Sequence, residues 1–354
     1  MNTHPLFFTL NDRKHRVSDI LSSRGKHHEL PWQAQWMNFL SEWYNENSYI
    51  EVRTSGSTGK PKLIRLEKSF VAASAQRTLS FFQLKTDDKI LHCLPSNFIA
   101  GKLMLVRALM GELNIHIVDP SSSFDFLAHE IYAFTAMVSN QLHKLLNSNK
   151  KHIPIKQILV GGSAIPYQLE EELAHINSIC YSSYAMTETA THIALRRLNH
   201  CSPKDKYYHC LDGIEVCTDE QDCLLIKMPG IASTGIATND IARLIDNKTF
   251  QIVGRIDNCI ICGGKKFFAE EIERKITHAI NQDFIISSQK NDSLGEELIL
   301  IIESTYSVQL ECEIKAICKR LLSKHEQPRA FLFVNQLART ENGKIKRAYE
   351  EQKK

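Results

Sequence analysis

The chain has 354 residues, of which 43% are hydrophobic and 23% charged, with 43 Lys+Arg set against 40 Asp+Glu. Those proportions exclude disordered, collagen-like and low-complexity classes, and at about 150 residues per domain the length suggests two domains. A formal net charge of +3 advertises no nucleic-acid partner, and the basic residues from Lys344 to Lys354 read as a solvated tail.

From Lys89 to Tyr181 short apolar runs alternate with helix-like segments. Ile90–Leu94, Ile115–Val118, Thr135–Ser139, Gln157–Gly161 and Ser178–Tyr181 predict strands, whereas Gly101–Met110, Asp125–Ile131, Gln141–Asn147 and Tyr167–His175 predict helices. Such alternation implies a mainly parallel sheet covered by helices, whose ligands gather at loops after the carboxyl ends of the strands. Beyond about residue 210 the texture changes to short strands, including Leu224–Met228 and Thr249–Val253. Ile272, Ile276 and Ile280 then recur at helical spacing, Leu298–Ile302 reads as a strand, Ile314, Ile317, Cys318 and Leu321 line a helix face, and Phe331–Val334 is a last strand. The expected fold is α/β: a large core domain over 1–256, followed by a small mobile α+β domain over 257–354.

No apolar run of signal-peptide type opens the chain, and the longest apolar stretch, Phe98 to Val118, is broken by Lys102, Arg107 and Glu112. A cytoplasmic protein without membrane insertion is expected, its ten cysteines reduced thiols. Cys259-Ile-Ile-Cys262 has metal or redox spacing but lies in an apolar, strand-like run and reads as structural. The four Cys and three His between His192 and Cys223 lack paired zinc spacing.

The strongest local signal is Thr54-Ser-Gly-Ser-Thr-Gly-Lys-Pro-Lys62. Small residues let backbone N–H groups approach an anion closely, while hydroxyls and ammonium groups add charge-assisted hydrogen bonds. A Walker loop is excluded, because only two residues separate Gly56 from Gly59 and Pro61 follows Lys60. Taken alone, the segment is either an anion loop or a flexible linker.

The nonapeptide resembles the phosphate loop of the adenylate-forming superfamily of acyl- and aryl-CoA synthetases, and five further segments match that family in order. They are Gly161-Gly-Ser-Ala-Ile-Pro166; Tyr181-Ser-Ser-Tyr-Ala-Met-Thr-Glu-Thr189; Ala237-Thr-Asn-Asp240; Gly254-Arg-Ile-Asp257 through Gly263-Gly264 to Glu273; and Arg339-Thr-Glu-Asn-Gly-Lys-Ile-Lys-Arg347. Ala185 and Asn239 stand where the family usually has glycine. The resemblance implies ATP, Mg²⁺ and coenzyme A as ligands. Thr54, Ser55, Gly56, Ser57, Thr58, Gly59 and Lys62 would face phosphate. Gly162 and Ser163 would border adenine, and Tyr184 would stack on it. Thr187 would bond a phosphate oxygen, Glu188 would help hold Mg²⁺, and Asp240 and Arg255 would hold the ribose. Lys344 would bring the anionic acid and ATP together, Asp257 would be the hinge, and Gly263 and Gly264 would border the pantetheine arm.

Leu94-Pro-Ser-Asn-Phe-Ile-Ala-Gly101 resembles the family's acyl-side segment, with Phe98 where His is common. Arg107, six residues beyond Gly101, either faces solvent or, if buried, needs an anion. A second substrate carboxylate would serve, which resembles the o-succinylbenzoate–CoA ligases of menaquinone biosynthesis. Another aryl- or acyl-CoA ligase, or an adenylation enzyme loading a carrier protein, stays open. Only 53 residues precede Thr54. The resemblance therefore implies a curtailed N-terminal subdomain and an acyl pocket that a second copy, as a homodimer, could complete.

Overall fold

The computed structural model describes residues 4–23, 30–53, 62–121, 123–128, 130–148, 153–162, 165–339, 345 and 347. The chain folds as two units, Met1–Ile214 with Met228–Ile231, and Glu215–Lys227 with Ala232–Lys354. Among the described residues no helix is long and apolar enough to cross a membrane.

The first unit begins with a hairpin of β1 (Phe7–Leu10) and β2 (Arg13–Arg16), then α1 (Val17–Ser23) and α2 (Pro31–Trp43). Pro31 suits the first turn of α2, where its missing N–H costs nothing, and Trp36, Met37, Phe39, Leu40 and Trp43 form its buried stripe. The hairpin of β3 (Tyr49–Arg53) and β4 (Leu63–Glu67) precedes α3 (Lys68–Phe82). There follow β5 (Lys89–His92), α4 (Ile99–Gly111), β6 (Asn114–Ile117), β7 (Tyr132–Val138), α5 (Ser139–Asn147), β8 (Ile155–Gly161), α6 (Tyr167–Leu173), β9 (Ile179–Ala185), β10 (His192–Arg197) and β11 (Tyr208–Cys210). Within this unit the sheet order is β11-β10-β9-β8-β7-β5-β6-β1-β2. The strands from β9 to β1 in that order are parallel neighbours. The expected helix over 125–131 is only a short 3-10 turn, Asp125–Ala128.

Helix α4 is buried without interruption from Gly101 to Leu109, which explains why it is apolar nearly all round. Its two cations are both buried. Lys102 reaches Glu42 Oε2 on α2 at 2.6 Å, donates to the Glu51 carbonyl at 2.8 Å, and lies 5.1 Å from the Phe39 ring centre. Glu42 also accepts the Glu51 amide at 2.6 Å, so one carboxylate ties α2, β3 and α4 together.

The second unit holds the antiparallel meander β12 (Glu215–Thr218), β13 (Cys223–Lys227), β14 (Ile236–Leu244) and β15 (Thr249–Arg255). After a 3-10 turn at Ile256–Asn258 come β16 (Cys259–Cys262), β17 (Lys265–Phe268), α7 (Ala269–Ile276), β18 (Phe284–Asn291), β19 (Gly295–Glu303), α8 (Val308–Leu321) and β20 (Ala330–Val334). The run Leu298–Ile302 is wholly apolar because both faces of β19 are covered. Leu298, Leu300 and Ile302 join the cluster with α7 and α8, while Ile299 and Ile301 join the cluster with Leu337 and Ile345. Near the end of the chain Arg347 forks onto Glu273 at 2.7 and 2.6 Å, and Arg339 bonds Asp283 at 2.6 Å.

Replacing Glu42 by Gln leaves the Lys102 ammonium buried without its counter-charge. The expected loss is about 3 kcal/mol in urea unfolding, with most of it recovered by adding Lys102→Met.

Candidate active site

In the first unit the parallel strands end side by side, and four of the predicted residues, Gly162, Tyr184, Thr187 and Glu188, sit at or just after those ends. Val138 of β7 lies opposite Gly161 of β8, and Val160 of β8 lies opposite Ser182 of β9. Gly162 follows β8 with φ 90°, a conformation open to glycine, and a Cβ there would meet Val138 Cγ1 at 3.3 Å. Tyr184 is half-buried near the end of β9, its ring 5.9 Å from that of Tyr208. Thr187 and Glu188 lie in the loop that follows; Thr187 is half-buried, and Glu188 is exposed and enters no ion pair among the described residues. That loop is firmly built. The Thr189 hydroxyl lies 2.6 Å from the Thr191 carbonyl, and Ala190 holds a left-handed φ of 63°.

Arg107 is 1% exposed on α4. No carboxylate pairs with it among the described residues. Its Nη2 donates a long bond of 3.4 Å to Thr191 Oγ1, its Nη1 lies 3.5 Å from Met104 Sδ, and its Nε has no partner. The guanidinium lies 6.0 Å from the Phe134 ring centre. Burial pulls its pKa below the usual arginine value, yet a guanidinium keeps its proton at neutral pH. The bond to Thr191 joins α4 to the loop that carries Thr187 and Glu188. Gly101 serves this packing differently from a ligand contact: a Cβ there would lie 2.2 Å from the Pro95 carbonyl oxygen. Glycine is what lets α4 start against the Pro95–Ser96 turn.

Sequence reasoning missed the groups around Arg107. His92, at the end of β5, is buried, bonds Ser96 Oγ through Nε2 at 2.8 Å, and leaves Nδ1 unpartnered. Burial and the neighbouring Arg107 lower its pKa to about 3, so it is neutral. His192 is likewise buried and held neutral by burial, then by Arg107 and Arg77. The available signal was two histidines ending or opening apolar strands, too common a pattern to stand out.

In the second unit Asp240 and Arg255 face each other across β14 and β15. Arg255 Nη1 approaches Asp240 Oδ1 at 3.3 Å and Nη2 approaches Asp257 Oδ2 at 2.6 Å, while the Asn239 amide lies 3.3 Å from both Asp257 oxygens. The Arg255 hydrogen bond lowers the pKa of Asp257. Gly263 and Gly264 form the two-residue turn between β16 and β17 with φ 56° and 76°, and a Cβ at Gly264 would meet nothing within 4 Å. Thr54, Ser55, Gly56, Ser57, Thr58, Gly59, Ser163 and Lys344 lie outside the described residues. The strands flanking the phosphate loop pair as Arg53↔Leu63, and Arg339↔Ile345 bridges the two sides of the segment bearing Lys344. Lys62 is exposed.

Residues 30–218, more than half of the chain, match the sequence family described as AMP-binding enzyme. Among solved structures, an acyl-CoA synthetase (AMP-forming)/AMP-acid ligase II-like protein from Dyadobacter fermentans is 30% identical over 92% of this chain and 95% of its own, with a TM-score of 0.62. The O-succinylbenzoate coenzyme A synthetase of Bacillus subtilis, in complex with ATP and magnesium ion, is 21% identical. It covers 84% of this chain and 68% of its own with a TM-score of 0.70, a likeness of fold. The 2-succinylbenzoate–CoA ligase of Salmonella typhimurium is 25% identical over 333 residues, 90% of this chain and 71% of that protein.

Gly101→Ala forces the Pro95–Ser96 turn away from α4. The expected cost is about 1–3 kcal/mol of stability, read as a lowered melting temperature; an unchanged melt would show that the turn yields freely.

Proposed function

The chain belongs to the AMP-binding enzyme family, and on that premise we propose that it is an ATP-dependent acid–CoA ligase whose acid is o-succinylbenzoate. In the first step an oxygen of the succinyl carboxylate attacks the α-phosphorus of ATP, forming the acyl-adenylate and releasing pyrophosphate. In the second the sulfur of coenzyme A attacks the acyl carbon, its proton is lost, and AMP leaves.

The observation that carries the choice of acid is Arg107, 1% exposed, without a carboxylate partner among the described residues and bonded to the loop bearing Thr187 and Glu188. A charge in that position costs several kcal/mol unless an anion meets it. An acid with two carboxylates supplies one to the reaction and one to Arg107. A monocarboxylic acid leaves the guanidinium alone. The 2-succinylbenzoate–CoA ligases among the relatives support the same choice.

In this reading the remaining residues divide the work. Thr54, Ser55, Gly56, Ser57, Thr58, Gly59 and Lys62 would face the phosphates of ATP, and Thr187 would bond a phosphate oxygen. Gly162, Ser163 and Tyr184 enclose adenine, and Asp240 with Arg255 holds the ribose hydroxyls. The exposed carboxylate of Glu188, in no ion pair among the described residues, suits a hard cation; with phosphate oxygens it would hold Mg²⁺, which spreads the phosphate charge. Lys344 offsets the repulsion between two anionic reactants. Residues 257–354 then turn about Asp257 relative to 1–256, so that Gly263 and Gly264 border the pantetheine arm during thioester formation.

Pyrophosphate release measured with o-succinylbenzoate, benzoate and a medium-chain fatty acid, each with and without CoA, tests the function; release with a monocarboxylic acid alone overturns the choice of substrate. Arg107→Leu should raise KM for the diacid roughly 10- to 100-fold, the worth of one charged hydrogen-bonded contact, and change monoacid kinetics little. Asp257→Pro should spare adenylate formation and suppress thioester formation. Equal loss of both steps would argue against the hinge.

A further inference from the structure

Arg107 is not the only cation in its neighbourhood without an anion. Arg77, on α3, has Nε and Nη2 buried and without a hydrogen-bond partner among the described residues. Burial lowers its pKa, and no carboxylate offsets that effect. Ser74 Oγ, one turn earlier on the same helix, is buried and unpartnered, as is His92 Nδ1 on β5.

A hydrogen-bond relay ties these elements together. Arg107 Nη2 donates to Thr191 Oγ1 at 3.4 Å, and the Thr191 hydroxyl lies 3.1 Å from His192 Nδ1. His192 Nε2 lies 3.3 Å from Thr78 Oγ1, and the Thr78 hydroxyl donates to the Ser74 carbonyl at 3.3 Å. Run in that direction, each hydroxyl donates once and accepts once, which assigns the proton of His192 to Nε2. The relay begins at Arg107 and ends on the helix turn that holds Ser74, Arg77 and Thr78. Both guanidiniums disfavour the protonated form of the His192 ring, after burial. Buried Arg107 and half-buried Arg77 both lie within electrostatic reach of the buried His192 ring, and no acidic side chain is paired to either cation among the described residues.

We propose that Arg77 is a second specificity-determining cation, which together with Arg107, Thr191, His92 and His192 forms the seat for the non-reacting carboxylate of the acid substrate. This rests on the diacid reading above and extends it. A single buried guanidinium recognises a carboxylate; two of them, with imidazoles that carry no charge of their own, select a carboxylate against every neutral group of similar shape. A neutral ring substituent entering the seat would leave both cations unsatisfied, and the discrimination comes from that penalty. Arg77 acts on the second carboxylate alone and has no part in adenylyl transfer.

The test compares kcat/KM for o-succinylbenzoate with that for the same keto acid lacking the ring carboxylate, in wild type, Arg77→Gln and Arg77→Lys. Melting temperatures are taken with and without the diacid. In Arg77→Gln the diacid-to-monoacid ratio should fall about tenfold through KM, with monoacid kinetics within about twofold of wild type. Arg77→Lys should recover part of the ratio. Arg77→Gln should melt no lower than wild type when free and should lose most of the diacid-induced rise in melting temperature. A wild type indifferent to the ring carboxylate overturns the diacid reading itself. A wild type that prefers the diacid, with an Arg77→Gln that keeps the preference, overturns only the role of Arg77. A sharply lower melting temperature in both variants, with the ratio intact in Arg77→Lys, would make Arg77 structural.

Discussion

Two cations buried on one helix, treated in opposite ways, organise the first unit. Lys102 and Arg107 both lie on α4, a helix covered on every side from Gly101 to Leu109. Lys102 is matched by the Glu42 carboxylate and the Glu51 carbonyl, and that match ties α2 and β3 to α4. Among the described residues Arg107 meets a threonine hydroxyl, a methionine sulfur and the face of Phe134, but no carboxylate. Packing supplied a counter-charge where the fold needed one and withheld it five residues later. An uncompensated charge survives in a core only when the rest of the structure over-determines it, and such places are drawn disproportionately from functional sites.

The neighbours of Arg107 follow from the architecture. Parallel strands joined by helical crossovers leave their carboxyl ends along one edge, and residues meant to meet a ligand come from loops along that edge. His92 ends β5, Val138 ends β7, Gly162 follows β8 and Tyr184 lies near the end of β9. The loop after β9 turns back through Thr187, Glu188 and the left-handed Ala190 to place Thr191 and His192 against α4 and α3. One strand end therefore serves two purposes. Its outer residues are the half-buried Thr187 and the exposed Glu188, and Thr191 and His192, a few positions on, are buried against the cations.

Much of this was legible in the sequence, for reasons that differ by region. The parallel strands and β19 announced themselves because strands covered on both faces are continuous apolar runs, and α8 because its apolar residues keep helical spacing. The helix expected over 125–131 shortened to Asp125–Ala128, since an apolar cluster of that length is shared by helices and by loops that plug a core. The antiparallel strands β10 to β12 and the hairpin β1–β2 were silent; their residues alternate over too few positions to establish a period. The segment Thr54–Lys62 stood out because small residues, hydroxyls and lysines crowd into it. Arg107 drew notice as a charge in an apolar helix. Arg77 did not, because α3 is amphipathic and an arginine on such a helix is expected to face water. Only the tertiary placement of α3 beside β10 shows that its guanidinium is largely enclosed.

The histidines explain how such a site can bind and release an anion. A carboxylate beside Arg107 would have cancelled the cation and closed the position to substrate. An apolar lining would have left the incoming carboxylate with too few donors. A neutral imidazole avoids both outcomes: His92, whose Nδ1 has no partner among the described residues, can turn an N–H toward the carboxylate, and burial together with the nearby Arg107 keeps it from acquiring a second proton. Burial first, and the arginines after it, keep the histidines neutral, while the His192 tautomer sets the direction in which Thr191 and Thr78 point their hydroxyls. With Thr191 donating toward His192, its oxygen lone pairs turn to Arg107, which holds the guanidinium in one orientation. Pre-arrangement of this kind is costly in the free protein, because its donors are dehydrated before any ligand arrives. The same cost becomes selectivity when a carboxylate binds, since only an anion of the right geometry relieves it.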